Sequence, residues 1–184
     1  MLYLVGTPIG NFDDMTYRAV ETLSKVDLIA AEDTRNTLNL LNHFEIKTKL
    51  TSYHEHNKAS KGKQLLDVLL EGKDVAIVTD AGMPAISDPG EDIVKLCIEN
   101  NIEITTVPGP TAFVSALVMS GLPTKGVVFE GFLSAKNSER EKRLSELKDY
   151  KETIIFYEAP HKLLRTLEHI KSVFGDREIS VSRE

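Results

Sequence analysis

Cysteine is nearly absent: Cys97 is the one thiol in 184 residues. A disulfide framework within the chain is excluded, which suits a reducing cytoplasm. Cys97 lies in the run IVKLCIEN, which reads as a helix, and its expected role is core packing. Long hydrophobic runs are missing as well. The longest apolar stretches, such as Val75 to Val78 and Thr153 to Tyr157, are strand-sized, whereas a membrane span needs about 20 residues. The opening MLYLVGTPIG has no basic flank and no small-residue cleavage site, so no signal peptide is expected. An excess of positive charge is lacking too. The formal net charge is −6, which argues against bulk, non-specific binding to nucleic acid.

Several familiar site signatures are also missing. No Gly-Lys-Ser/Thr follows a glycine loop, so there is no P-loop. The first loop reads G-x-x-x-G from Gly6 to Gly10, with Pro8 and Ile9 filling the turn. Glu32 stands where a ribose-binding acid would sit, but the match to a dinucleotide fingerprint is partial. The glycine-rich first loop of the common Rossmann-like methyltransferases is absent. No Ser-His-Asp or Cys-His arrangement stands out, so hydrolase chemistry has no support. His54-Glu55-His56-Asn57 is not H-E-x-x-H and has no third ligand at a recognisable spacing. No metal site is expected there; a surface or substrate contact is.

What is present is a regular alternation of strand and helix signals. With 41% hydrophobic and 27% charged residues, the composition is that of an ordinary globular chain. Strands are expected over 2–5, 28–31, 50–53, 75–79 and 102–107. Between them run helical patterns. The first has apolar positions Met15, Ala19, Val20, Leu23 and Val26, with Asp13 or Asp14 as its cap. The second carries Leu38, Leu41 and Phe44. The third carries Leu65, Leu66, Leu69 and Leu70 and is ended by Gly72. The fourth runs through Ile93, Val94 and Cys97, and a fifth from Thr111 to Met119. This pattern implies an α/β fold with a mostly parallel sheet covered on both faces. Gly121-Leu122-Pro123-Thr124 then interrupts it, placing a domain boundary between 1–121 and 122–184. The second segment reads as strand 127–132, helix 136–147, strand 153–157, helix 161–173 and a last strand 178–182. About 60 residues make a marginal domain, so this one is expected to be truncated.

The strand ends carry unusual loops. They are Gly6 to Asn11, Glu32 to Arg35, Asp80 to Gly90, Pro108 to Thr111 and Glu158 to His161. Ligands in open α/β sheets bind beyond the carboxyl ends of the strands. Glycine and proline there allow close backbone approach and fix unusual turns. Several such loops on one sheet edge therefore point to a site.

At these loops the chain resembles a known family. LVGTPIGNFDDMTYRA, DLIAAEDTR, TSYHEHN, VTDAGMPAISDPG, VPGPTA, FEGF and FYEAPHKLL, in this order, resemble the tetrapyrrole methylase superfamily. The likeness is to its bacterial branch that methylates ribosomal RNA of the small subunit. Met83 replaces the more usual Thr of the D-A-G-x-P loop. The resemblance implies two α/β domains with a cofactor cleft between them, the second domain truncated here. It implies S-adenosylmethionine as cofactor, held largely by backbone at Pro8, Ile9, Ala81, Gly82, Met83, Ile86, Thr111, Ala112, Tyr157 and Glu158. It implies 16S rRNA of the small subunit as substrate, with methylation of the ribose 2′-hydroxyl of one cytidine, and a homodimer in the cytoplasm.

A ribose hydroxyl is a poor nucleophile, so a base near it would help. Asp33, His54, Glu55, Asp88 and His161 are the candidates, and the sequence does not rank them. The basic groups Lys58, Lys61, Lys63 and Lys136, Arg140, Lys142, Arg143 read as solvated helix faces or, under the resemblance, as phosphate contacts. Three other readings stay open. They are a methyltransferase of the same fold acting on a tetrapyrrole or other small molecule, a nicotinamide oxidoreductase, and a non-catalytic module that docks on the ribosome or a partner. Pro8 and Ile9 count against the second, and cofactor binding would count against the third.

Overall fold

The computed structural model describes residues 1–183. The chain forms two compact units, Met1–Ala112 and Phe113 onward. In the first unit, strands β1 (Leu2–Val5), β2 (Leu28–Ala31), β3 (Leu50–Ser52), β4 (Val75–Val78) and β5 (Ile104–Val107) make one sheet. Their order is β3-β2-β4-β1-β5 and every pair is parallel. Four helices connect them: α1 (Tyr17–Lys25), α2 (Thr34–His43), α3 (Lys58–Leu70) and α4 (Glu91–Glu99).

The order explains how the helices are shared out. From β1 through β2 to β3 the chain travels one way across the sheet, and from β3 through β4 to β5 it travels back. Parallel crossovers are right-handed, so the reversal moves the helices to the other face. Strand periodicity agrees. Tyr3, Val5, Ile29, Ala31, Ala76 and Val78 pack with Ala19 and Leu23 of α1 and with Leu40 and Leu41 of α2. The alternate residues Leu2, Leu4, Ala30, Val75 and Ile77 pack with Leu65 and Leu69 of α3 and with Ile93 and Cys97 of α4. A strand buried on both sides must be apolar at every position, and β4 (VAIV) is. Each fully buried Leu or Ile in these two layers contributes about 2 kcal/mol.

The second unit holds a parallel pair, β6 (Val127–Phe132) and β7 (Thr153–Tyr157), with a register shift between Phe129 and Gly131. Helices α6 (Asn137–Leu147) and α7 (Leu163–Phe174) accompany it, and Leu144 and Leu147 of α6 are fully buried. Helix α5 (Ala112–Met119) leads in. The Phe113 ring stacks on Phe129 at 4.5 Å, and the Phe113 N–H donates to the Tyr157 hydroxyl at 3.2 Å. These contacts fasten α5 to β6 and β7. The division therefore falls at Ala112/Phe113 rather than at the Gly121 turn, where the sequence places it.

Three local expectations are corrected. Asp13 and Asp14 do not cap α1; they belong to a 3-10 turn, Phe12–Asp14, capped by Asn11. Thr16 caps α1, its hydroxyl accepting from the Ala19 N–H at 3.1 Å. Leu38 is half exposed, because the buried face of α2 runs through Thr37, Leu40 and Leu41. Residues 178–182 form no strand and are exposed. A strand needs a ladder partner; here Arg177 instead donates to the carbonyls of Tyr150 and Glu152, tying the chain down before it reaches a sheet edge.

Candidate functional site

The loop after β4 leads to α4 on one face, whereas the loops after both its neighbours, β1 and β2, lead to the other. Such divergence opens crevices at the carboxyl edge, where open α/β sheets bind ligands. The crevice between β1 and β4 is closely built. Thr7 and Gly82 form an antiparallel bridge, with N–H donations of 2.9 and 3.0 Å in the two directions. The Thr7 hydroxyl also donates to the Thr79 carbonyl at 3.0 Å. A third loop joins from β5. A Cβ on Gly6 would stand 2.7 Å from Met83 Sδ and 2.8 Å from the Gly109 backbone. Only glycine fits there. Gly82 has φ +84°, and a Cβ there would touch Ile9 and the Pro110 carbonyl. Ile9, Gly82, Met83 and the Pro108 to Thr111 turn are thus brought to one place by backbone packing alone.

Beyond Pro84 the same loop is strained. Ala85 (φ 67°) and Ser87 (φ 63°) are both left-handed without being glycine. Such residues cost on the order of 1 kcal/mol each and cluster at functional sites. Between them Ile86 is held out, 38% exposed. Pro8 is buried, Ala81 is exposed, and Thr111 and Ala112 begin the turn into α5. Tyr157 and Glu158 belong to the second unit. The Tyr157 ring packs against Phe129 and Phe132. Glu158 is fixed by the Ala159 N–H and by the hydroxyl of the buried Thr166 on α7.

The crevice between β2 and β4 is acidic. Ala31 pairs with Val78, so Glu32 and Thr79 follow at adjacent strand ends. The Asp80 N–H donates to Glu32 Oε2 and the Asp33 N–H to Asp80 Oδ1, each at 3.3 Å. Burial raises the Glu32 carboxyl, aided by the charges of Asp80 and Asp33, although the Asp80 N–H and His54 act the other way. Burial, then the charges of Glu32 and Asp80, pushes Asp88 up to about 6. Asp33 goes the opposite way. It caps α2, accepting from the Arg35 N–H at 2.8 Å, and pairs with the Arg35 guanidinium at 2.6 Å. The Arg35 side-chain bond, followed by its backbone bond, holds Asp33 at about 2.

Of the sequence's candidate bases, Asp33 and Asp88 are at this crevice, and His54 is near enough to Glu32 to act on its charge. The His54 backbone N–H donates to Asn57 Oδ1 at 2.8 Å, and its buried Nδ1 has no hydrogen-bond partner among the described residues. The His56 ring lies 6.0 Å away. Glu55 is committed to Lys58, which also pairs with Asp92. His161 is exposed on a 3-10 turn, Pro160–Lys162, in the second unit. Glu32 and Asp80 were not among the candidate bases, and their signal was available: each directly follows a strand that the sequence makes parallel and buried. Among the described residues, no three His, Cys, Asp or Glu side chains are grouped to hold a metal ion, and no helix is long and apolar enough to cross a membrane.

Comparison with known proteins agrees with this architecture. The family model for tetrapyrrole (corrin/porphyrin) methylases matches residues 1–184. The chain is 54% identical over 183 residues to a protein of Halalkalibacterium halodurans named ribosomal RNA small subunit methyltransferase I, covering 100% of this chain and 63% of that one. It is 51% identical to the protein of the same name from Bacillus subtilis, again covering 100% of this chain and 63% of the other. The chain thus spans less than two thirds of the length of these relatives. Among solved structures, a cobalt precorrin-4 methyltransferase superposes with a TM-score of 0.68 at 20% identity, over 94% of this chain and 74% of that one. A uroporphyrin-III-C-methyltransferase from Thermus thermophilus gives 0.61 at 20% identity, over 93% and 71%. The chain belongs to the tetrapyrrole methylase family.

Proposed function

We propose that this chain is part of an S-adenosylmethionine-dependent methyltransferase of small-subunit ribosomal RNA, acting on the ribose 2′-hydroxyl of a cytidine in 16S rRNA. The observation that carries the reading is 54% identity along the whole chain to a protein named for methylating that RNA. The same reading places the protein in the cytoplasm, as a homodimer.

The carboxyl-edge loops suit such a cofactor. Gly6, Gly82 and Gly109 let three loops close on one another, and the strain at Ala85 and Ser87 fixes Ile86 in the open. A lining made of backbone and apolar side chains accepts a sulfonium cation without a bound counter-charge to displace. Pro8, Ile9, Ala81, Gly82, Met83, Ile86, Thr111 and Ala112 are the residues proposed to hold it, with Tyr157 and Glu158 as further contacts. S-adenosylmethionine supplies an electrophilic methyl carbon; the protein's part is to position the reactants and handle one proton. Asp88 is the preferred base. A carboxyl near 6 is ionised at neutral pH and yet more basic than an ordinary carboxylate. Asp33, capped and paired, is a weak base.

The test is methyl transfer from labelled S-adenosylmethionine to purified small subunits, with nuclease mapping of the label. Label on a ribose 2′-oxygen of 16S rRNA is the expected result. Label on a base would overturn the ribose assignment. Cofactor binding with no label on RNA would favour a small-molecule substrate.

A further inference from the structure

Arg140 lies in the first turn of α6 and is 4% exposed. A guanidinium this deep is ordinarily paired with a carboxylate, because an unpaired buried charge is costly. Among the described residues none reaches it. Its Nε donates to His169 Nδ1 at 2.9 Å and its Nη2 to Asn137 Oδ1 at 2.7 Å. Arg165 of α7 donates to that same oxygen at 2.6 Å. Two cationic forks therefore share one neutral acceptor.

Two neighbouring basic side chains are treated differently. Arg143 is neutralised by both oxygens of Glu130, at 2.6 and 2.8 Å, and by Glu146 at 2.8 Å. Lys136 pairs with Glu139 at 2.9 Å. Among the described residues, only around Arg140 and Arg165 do two guanidinium groups meet with no carboxylate. The position makes the imbalance worse, since α6 begins at Asn137, and Lys136 before it makes no side-chain cap. A helix N-terminus is the positive end of its dipole, where cations are disfavoured and anions welcome. His169 adds a donor: its Nδ1 accepts from Arg140, which leaves the ring proton on Nε2. His169 stands four residues after Arg165, on the same face of α7.

We propose that Arg140, Arg165 and His169, at the start of α6, form a phosphate-binding site that takes a backbone phosphate of the RNA substrate. The assignment to RNA rests on the methyltransferase reading above. Planar guanidinium forks with a helix N-terminus match a tetrahedral oxyanion. In a chain of net charge −6, such a local site decides where a polyanion can approach.

The test uses the 184-residue chain with two probes. Inorganic phosphate is titrated while the His169 imidazole nitrogens are followed by NMR. Binding of a small-subunit rRNA fragment is measured against salt concentration. Arg165→Ala is the main variant, because Arg165 is exposed and its loss leaves the core intact. Arg140→Lys keeps the charge and removes the fork. Phosphate is expected to shift the His169 Nε2 signal, and each variant to weaken phosphate binding about tenfold. In Arg165→Ala the salt slope for RNA should fall by about one. An unmoved His169 signal, or equal phosphate affinity in Arg165→Ala, overturns the site. Phosphate binding with an unchanged RNA slope overturns the assignment to RNA and leaves a site for a free phosphate ligand. Phosphate binding by a chain that binds no RNA likewise overturns the assignment to RNA while the anion site stands; the methyltransferase reading falls separately, if the small subunits of the assay above take up no label.

Discussion

Asp33 and Asp88 are carboxylates at one sheet edge with opposite acidities, and their surroundings explain both. Asp33 is solvated, bonded to Arg35 and used as a helix cap. Asp88 is half-buried beside Glu32 and Asp80, with no cation among the described residues to offset them. Because the folded Asp88 carboxyl lies above its unfolded value near 4, folding favours its protonated form. The native state is thus spared a penalty below about pH 4 and bears it fully as pH rises past about 6. Asp88→Asn should raise stability at pH 7–8, by on the order of 1 kcal/mol once solvent screening is allowed for, and change little near pH 4. Thermal melts at the two pH values check this. If Asp88 is also the base, methyl transfer by the unaltered protein should rise with pH through about 6, and Asp88→Asn should lose activity while keeping cofactor affinity. Unchanged turnover in that variant would remove Asp88 from the role.

Elements carry the next set of expectations. Helix α1 depends on Thr16 for its cap. Thr16→Ala should cost about 1 kcal/mol, whereas Asp13→Ala and Asp14→Ala should cost little, a contrast that denaturant titration can read. The loops after β1 and β5 depend on glycine for their closeness. In Gly6→Ala the new methyl would meet Met83 and Gly109 at under 3 Å. Overpacking of that kind costs about 1–3 kcal/mol, and it would push apart the loops proposed to hold the cofactor. Calorimetry with S-adenosylmethionine should therefore show affinity lost by more than the melt alone suggests; intact affinity would mean these loops are not the binding surface.

At the scale of the molecule, the sheet has two independent apolar layers, one under α1 and α2 and one under α3 and α4. Ile77 lies at 1% exposure in the second. Ile77→Ala should destabilise by about 3 kcal/mol, from lost burial and the cavity left behind, with the fold retained by circular dichroism. The layers were largely legible in the sequence, because the unbroken apolar runs of β1 (LYLV), β2 (LIAA) and β4 (VAIV) dictate burial on both faces. The strand order was not. Nothing in 28–31 or 75–78 says that β4 inserts between β2 and β1. That insertion brings Glu32 beside Asp80 and Thr7 against Gly82, and so makes the edge loops one site.

The sequence by itself determined the parallel α/β class, the five strands of the first unit and the β6–β7 pair of the second, the glycine- and proline-rich loops and the family those loops resemble. Each of these depends on local chemistry: side-chain period, turn residues, and short motifs in order. Tertiary structure decided the rest, because it depends on neighbours far apart in the chain. It separated Asp88 from Asp33 through burial and nearby charge. It took α5 into the second unit through Phe113 and Phe129, and it left residues 178–182 without a strand to pair with. It also showed that Arg143 and Lys136 are already paired with carboxylates, whereas the guanidinium groups of Arg140 and Arg165 share the neutral Asn137 Oδ1 and meet no carboxylate among the described residues.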